Sequence, residues 1–351
     1  MSPPRGLLLL NLGTPDAPRT APVRRYLREF LGDPRVLDIP ALGRWLLLNL
    51  VILPRRPGKS AAAYAKVWTE RGSPLMVESE AFAAALSAEL GEVPIEMGMR
   101  YGSPSVDHAV QRLVERGCDE IVVFALYPHY ASSSTGTGLQ AAYEAAARRW
   151  NVPRLHVLPP FHDDDGFLDS FAAVGAEALA DFDAEHLVFS YHGLPERQVR
   201  KSEDRPGRCR FDAECCQTID AGNRHCYRAQ CYATTRGLLA RLGHPADRAT
   251  TSFQSRLGRT PWIRPYTDIL LPELAAQGVR RVAVFCPSFV TDCLETLEEI
   301  GMRARDDFRA AGGEDLRLVP SLNAHPLWVK SCARMLGPFG IGALSSDSAP
   351  A

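Results

Sequence analysis

The sequence predicts an α/β protein built as two doubly wound halves with parallel sheets, and three observations carry the prediction. Short apolar runs alternate with longer amphipathic ones, a pattern that implies right-handed crossovers between parallel strands. Glycine and proline, 27 of each, fall mostly between those runs as turn punctuation. The length, 351 residues, exceeds what one core ordinarily supports and suits two domains.

Leu7–Leu12, Ile121–Leu126, Leu187–Tyr191 and Val282–Cys286 read as strands buried on both faces, because each is apolar without alternation. Ser79–Leu90, Leu139–Trp150, Phe167–Asp181 and Asp292–Arg309 read as the helices between them. The proline-rich stretch Val152–Pro160 marks the join, giving an N-terminal Rossmann-like domain over 1–150 and a C-terminal one over 151–320. The remainder, 321–351, reads as a C-terminal helix and a frayed tail, Ser345–Ala351. No fixed-period repeat is visible.

A net charge of -1 offers no basic surplus to neutralise phosphates, which argues against nucleic acid as a partner. The first apolar run, Leu7–Leu10, is too short for a secretory signal and is broken by Asn11, Gly13 and Pro15, so a cytosolic location is expected. A reducing compartment and an odd count of nine cysteines both speak against a disulfide framework. Trp45–Leu53, WLLLNLVIL, falls well short of the roughly 20 residues of a spanning helix. It is either a buried helix or an exposed lip, about 41–57, that touches a bilayer surface peripherally.

In doubly wound folds ligands bind beyond the carboxyl ends of the strands, and two strand ends here carry unusual chemistry. In HLVFSYHGLPER, 186–197, His192 stands where the strand exits, placed to accept a proton near neutral pH or to bind a metal. A hydrogen-bonded turn histidine is the bland reading. In CPSFVTDCLETLEEI, 286–300, Pro287 and Ser288 break the strand and a helix is expected from Thr291 or Asp292. Asp292, Glu295 and Glu299 then line one helical face. Acidic residues in a first turn complement the helix dipole, which accounts for Asp292 and Glu295 but poorly for Glu299. Imidazole and carboxylate together suit proton relay or ferrous-iron handling. The loop SSSTGTG, 132–138, precedes a helix and offers backbone N–H groups to a phosphate, so a nucleotide-binding protein is a rival class. No phosphate-loop or dinucleotide glycine motif supports it.

Together these motifs closely resemble the ferrochelatases, which insert ferrous iron into a porphyrin to make haem. The likeness runs from LLLLNLGTPDAP through VWTERGSPL, MRYGSPS, YPHYASSSTGTG, SYHGLPER, TSFQSRLGRTPW and CPSFVTDCLETLEEI to LNAHPLWV, in the family's order. It implies a chelatase-type fold with His192 as the catalytic histidine, taking pyrrole protons or binding the iron. Glu295 matches the carboxylate facing it across the macrocycle, and Asp292 and Glu299 match the acidic path leading away. Arg100 and Tyr101 match the pocket wall, Arg100 as a propionate partner; Tyr127, Trp262 and Phe289 match further porphyrin-binding positions, where aromatic rings suit a flat macrocycle. From the residues alone, without the resemblance, plain core packing is the stronger reading of each aromatic. Leu12 of LNLGTP stands where coproporphyrin-using members tend to have tyrosine, and the lip resembles the protoporphyrin type. Protoporphyrin IX is the expected substrate and coproporphyrin the alternative; an inserter of cobalt or another metal is a milder rival.

Five of the nine cysteines fall between 209 and 231, in CRFDAECCQTIDAGNRHCYRAQC. Family members without extra cysteines pass by a short link from GLPER to a C-x-x-T-T-R segment, here Cys231–Arg236, so the cysteine-rich stretch over about 205–231 is an insertion. Some bacterial members carry an iron–sulfur cluster at this place, and the resemblance implies a [2Fe–2S] site on Cys209, Cys216, Cys226 and Cys231, with Cys215 as the alternative to Cys216. The animal-type arrangement does not apply, since Ser132 occupies its first ligand position and the tail offers only Cys332. Zinc is the competing metal, although only Cys226 and Cys231 approach its usual pair spacing. Free thiols, or an iron–sulfur regulatory protein without enzyme activity, are the remaining readings.

Overall fold

The computed structural model describes residues 4–212, 214–258 and 260–342. The Ser345–Ala351 tail lies outside them. The first half runs β1 (Arg5–Asn11), α1 (Thr20–Gly32), α2 (Ala41–Leu46), α3 (Leu53–Val67), α4 (Pro74–Leu90), β2 (Ile95–Met99), α5 (Val106–Glu115), β3 (Glu120–Ala125), α6 (Thr137–Ala147) and β4 (Arg154–Val157). The second runs α7 (Asp165–Leu179), β5 (His186–His192), α8 (Glu196–Lys201), α9 (Tyr227–Leu242), β6 (Ala249–Gln254), α10 (Thr267–Ala276), β7 (Arg281–Phe285), α11 (Arg305–Ala310), β8 (Asp315–Leu318) and α12 (Pro326–Leu336).

Each half holds a parallel four-stranded sheet, ordered β2-β1-β3-β4 and β6-β5-β7-β8. The two orders are one permutation repeated, which the sequence hides because a doubly covered strand requires apolar residues and no particular ones. Leu7, Leu8, Leu9 and Leu10 are fully buried, as a run without alternation demands. The four expected strands are present with ends shifted by a residue or two. The other four escape a hydrophobicity reading: β2 is IEMGM, β4 is RLHV on a half-exposed edge, β6 is ATTSFQ and β8 is DLRL. The Val152–Pro160 join is itself structured, since β4 lies inside it. Helix α12 packs on both α4 and α7, and Trp328 in its first turn stacks on Phe82 and meets Phe124, Phe161 and Phe167 at steeper angles, so residues of both halves share one core.

The helix expected over Asp292–Arg309 differs. It begins at Leu294, is wound as a π-helix over Glu295–Ala304, and becomes α-helical only in α11. Such i→i+5 winding is rare and concentrates at functional sites. A second π segment, Leu47–Ile52, interrupts the lip between α2 and α3.

Candidate active site

Strand β5 delivers His192 to the carboxyl edge of the second sheet, opposite Gln254 of β6. The following turn requires glycine: a Cβ on Gly193 would lie 2.8 Å from the Gln254 carbonyl oxygen and 3.1 Å from the Trp262 ring. The His192 Nδ1 lies 2.7 Å from the Gly193 carbonyl. A carbonyl only accepts, so Nδ1 carries the hydrogen and Nε2 presents its lone pair. Trp262 and Phe289 stand beside the imidazole, ring centroids 6.5 and 6.3 Å away.

The π-helix brings the carboxylates. Glu299 accepts from the Ser255 backbone N–H at 2.9 Å and its hydroxyl at 2.6 Å. Burial pushes the Glu299 carboxyl up; Ser255 pulls it back, the Glu295 charge raises it further, and Arg303 and His192 lower it. Glu299 therefore feels both Glu295 and His192, and the three form one electrostatic unit. Gln254 donates at 2.9 Å to the Glu295 carbonyl, tying the start of the helix to the strand edge that holds His192.

Asp292 does not share that row. It precedes the first helical residue, and its oxygens accept from Thr296 Oγ1 at 2.8 Å, Asn323 Nδ2 at 2.8 Å and the Ser321 N–H at 3.3 Å. The face expected to carry Asp292, Glu295 and Glu299 is thus a Glu295–Glu299 pair, with Asp292 buried as a clamp. The acidic neighbour of Asp292 is Glu78 of α4, whose carboxyl is pushed up by burial and then by the Asp292 charge.

The first sheet supplies the opposite wall. The backbone after β1 pairs with the MRYG segment through Arg100 N–H to Asn11 O and Tyr101 N–H to Leu12 O. Gly13 (φ +109°) permits this approach, because a Cβ there would sit 1.8 Å from the Tyr101 carbonyl oxygen. Leu12 is half-buried. Arg100 spends Nε on Thr137 Oγ1 (2.7 Å) and Nη2 on Asp33 (2.6 Å); no protein partner for its Nη1 occurs among the described residues. Tyr101 is fully buried beneath this guanidinium with its hydroxyl on Asp33 at 2.9 Å, so it supports the wall from behind. Asp33, absent from the sequence reading, gathers Arg100, Tyr101 and Thr137; burial would raise its carboxyl, but hydrogen bonds from Thr137, the Arg35 N–H and Tyr101, with the Arg100 charge, hold it low. Tyr127 points a buried, unpartnered hydroxyl near Tyr101 and Arg100. Tyr26 and Tyr64, also missed, are buried within reach of the Glu295 charge.

The SSSTGTG loop is not a phosphate cradle. Ser132–Gly136 is itself a helical turn, in which the Ser134 and Gly136 N–H groups both donate to the Ala131 carbonyl, and Arg35 donates to Ser132 Oγ while Thr135 Oγ1 and Thr137 Oγ1 donate to the His129 carbonyl and Asp33.

Trp45–Leu53 divides between its two readings: Trp45 is 57% exposed and Leu50 61%, while Leu48 and Leu53 are buried in a core with Val23, Leu27 and Leu31 of α1. Among the described residues no helix is long and apolar enough to cross a membrane.

The five clustered cysteines are buried, and none is in a disulfide. Cys209, Cys216 and Cys226 lie near enough to shift one another's affinity for a proton. Cys215 Sγ lies 3.8 Å from Cys216 Sγ but faces the Asp212 carbonyl. Arg228, 6% exposed, donates Nη1 to Cys216 Sγ at 3.0 Å. Cys226 is pulled down by Cys209 but pushed up, to about 11, by Cys216 and burial; burial pushes up Cys231. Among the described residues no group of three or more His, Cys, Asp or Glu side chains is arranged to hold a metal ion.

Two parallel sheets meeting at a histidine, a carboxylate pair and a wall of tyrosines define a chelatase-type protein. Solved structures share this fold: SirB from Bacillus subtilis with Fe3+ (TM-score 0.54, 11% identity, 96% of this chain and 94% of that one) and CbiX, the terminal enzyme for siroheme biosynthesis in denitrifying bacteria (0.50, 14%, 95% and 99%). The ferrochelatase family model matches residues 4–337. Ferrochelatases of Coxiella burnetii (44% identical over 331 residues, 94% of this chain and 92% of theirs), Ectopseudomonas mendocina (46% over 324, 92% and 94%) and Legionella pneumophila (43% over 328, 93% and 97%) align over nearly the whole chain. The chain belongs to the ferrochelatase family and is an enzyme that inserts ferrous iron into a porphyrin.

Proposed function

We propose that the porphyrin is protoporphyrin IX and that His192 Nε2 takes the pyrrole protons. The observation that carries this reading is the Nδ1 contact to Gly193, which leaves a fixed lone pair at the strand edge. Two N–H protons leave the ring as Fe2+ enters, so the ring dianion and the metal charge cancel. Glu295 faces the ring as the second polar group and iron contact, and Glu299 carries protons onward. Glu299 suits that task because burial raises its affinity for a proton above the ordinary carboxylate value. Trp262, Phe289 and Tyr127 offer flat or hydroxylic surface to the macrocycle, Leu12 keeps one edge apolar, and Arg100 Nη1 is available to a propionate. The exposed lip, followed by Arg55, Arg56 and Lys59, supports a peripheral membrane contact from which a greasy substrate enters.

We further propose that Cys209, Cys216, Cys226 and Cys231 hold a [2Fe–2S] cluster. The donor chemistry suits it: four soft, buried sulfurs within one short stretch, with the Arg228 cation 3.0 Å from Cys216 Sγ to offset negative charge. Cys216 is favoured over Cys215 because it turns toward Cys226 and Arg228 while Cys215 turns to Asp212. Purification under nitrogen with a visible spectrum, then iron insertion into both porphyrins, tests the reading. A red, iron-containing protein faster with protoporphyrin IX supports it. A colourless protein that binds stoichiometric zinc overturns the cluster, and preference for coproporphyrin overturns the substrate.

A further inference from the structure

We infer that Tyr227 is a positioning residue that couples the cysteine site to His192. The two places are joined by one side chain. Cys226, in the thiol group, is the residue immediately before α9, and Tyr227 is the first residue of that helix. The Tyr227 ring is 6% exposed, and its hydroxyl lies 2.8 Å from the His192 carbonyl oxygen and 2.9 Å from Ser288 Oγ. The carbonyl only accepts, so Tyr227 donates to His192 and Ser288 donates to Tyr227. One hydroxyl thus ties the ends of β5 and β7, from which the imidazole and the Phe289 ring reach the site.

Cys231 lies one helical turn along α9 from Tyr227. The start of the helix that presents the Tyr227 hydroxyl therefore carries two of the four sulfurs, and a shift of that turn moves the hydroxyl. The backbone reports in the same direction. Cys226 N–H is held by the Asn223 carbonyl at 2.8 Å, and the Asn223 side chain fastens the Thr218 and Cys215 carbonyls. Loosening the cysteine loop therefore loosens the first residue of α9.

The inference rests on the cysteine-site reading above, and the test separates the two. Iron insertion and the visible spectrum are measured under nitrogen for Tyr227→Phe, Cys226→Ser and the double variant. Tyr227→Phe is expected to keep the cluster colour and the porphyrin KM while kcat falls by about tenfold to a hundredfold, as for a misplaced catalytic group. Cys226→Ser is expected to bleach the protein and lower kcat similarly, and the double variant to be no slower than the worse single one, because both act through one hydroxyl. If Tyr227→Phe folds poorly, Ser288→Ala, which removes only the second partner, should give a smaller fall in kcat with KM unchanged. Wild-type kcat in Tyr227→Phe, or multiplying defects in the double variant, overturns the coupling. A bleached Cys226→Ser with full kcat overturns the coupling and leaves the cluster standing. A coloured Cys226→Ser overturns the cluster assignment and the coupling with it.

Discussion

Asp38 is the junction between the lip and the second half of the chain, and removing its charge tests that junction. It lies just before α2, and four donors from one face of α8 converge on it: Arg197 Nε and Nη2 at 2.8 and 2.5 Å, Gln198 Nε2 at 3.2 Å and Lys201 Nζ at 2.8 Å. Burial alone would raise the carboxyl, but these bonds hold it down from 3.8 to about 2. At 1.36 kcal/mol per unit that difference is about 2 kcal/mol, trimmed to ~1–2 kcal/mol because Lys201 is largely in water. A depressed carboxylate stabilises the fold above its ordinary value and loses that contribution as the pH falls through its folded value. Asp38→Asn should therefore lower the melting temperature by roughly 2–5 °C near pH 7. The gap should shrink to about half near pH 3, where the unfolded chain is already protonated and the folded carboxylate is not. It should also narrow in about 1 M salt. The same variant should raise the porphyrin KM, since Asp38 fixes the base of the lip. No gap at neutral pH, or one that holds constant on acidification, would refute the reasoning.

His192→Ala should abolish iron insertion while circular dichroism and melting stay close to wild type; near-normal turnover would remove His192 from the chemistry. Glu295→Gln keeps shape and loses charge, so kcat should fall with porphyrin binding by fluorescence quenching little changed, and an equal loss of both would make Glu295 a mere wall. Glu299 has a raised carboxyl, so the stability it contributes is present in acid and lost as pH rises. Glu299→Gln should accordingly melt higher than wild type near neutrality but not near pH 4, while iron insertion slows; a lower melting point at both would contradict burial as the dominant cause. Trp45→Ser with Leu50→Ser should reduce co-sedimentation with phospholipid vesicles and leave turnover of detergent-dispersed porphyrin unchanged, whereas unaltered sedimentation would detach the lip from the membrane.

What the sequence made legible is what lies close along the chain. His192 and the strand before it stand within seven residues, and the apolar runs that became β1, β3, β5 and β7 needed no partner to be read. Asp33 was invisible because Thr137 is 104 positions away and Arg100 is 67, and nothing local marks an aspartate after α1 as their meeting point. Tyr227 was hidden for the same reason, its acceptor lying 35 residues upstream. The strands β2, β4, β6 and β8 were missed because edge and site-facing positions carry polar or glycine residues that break an apolar run.

The acidic row failed on a different ground, the winding of the helix. Spacing arguments assume 3.6 residues per turn, and on that assumption Asp292 belongs with Glu295 and Glu299. The chain instead enters the helix two residues later and closes i→i+5 bonds through Glu295–Ala304. Asp292 is then free of the helix, and Thr296 Oγ1 and Asn323 Nδ2 both donate to it. That clamp fastens the first turn to the 321–323 segment, while Gln254 fastens the Glu295 carbonyl to the strand edge. A π-helix has weaker intrinsic support than an α-helix, so its start must be held from outside. The sequence places Asp292 four residues before Thr296, whose hydroxyl it accepts from outside the helix. The same aspartate that an α-helical reading places in line with Glu295 and Glu299 thus ties Thr296 of the π-helix to Ser321 and Asn323.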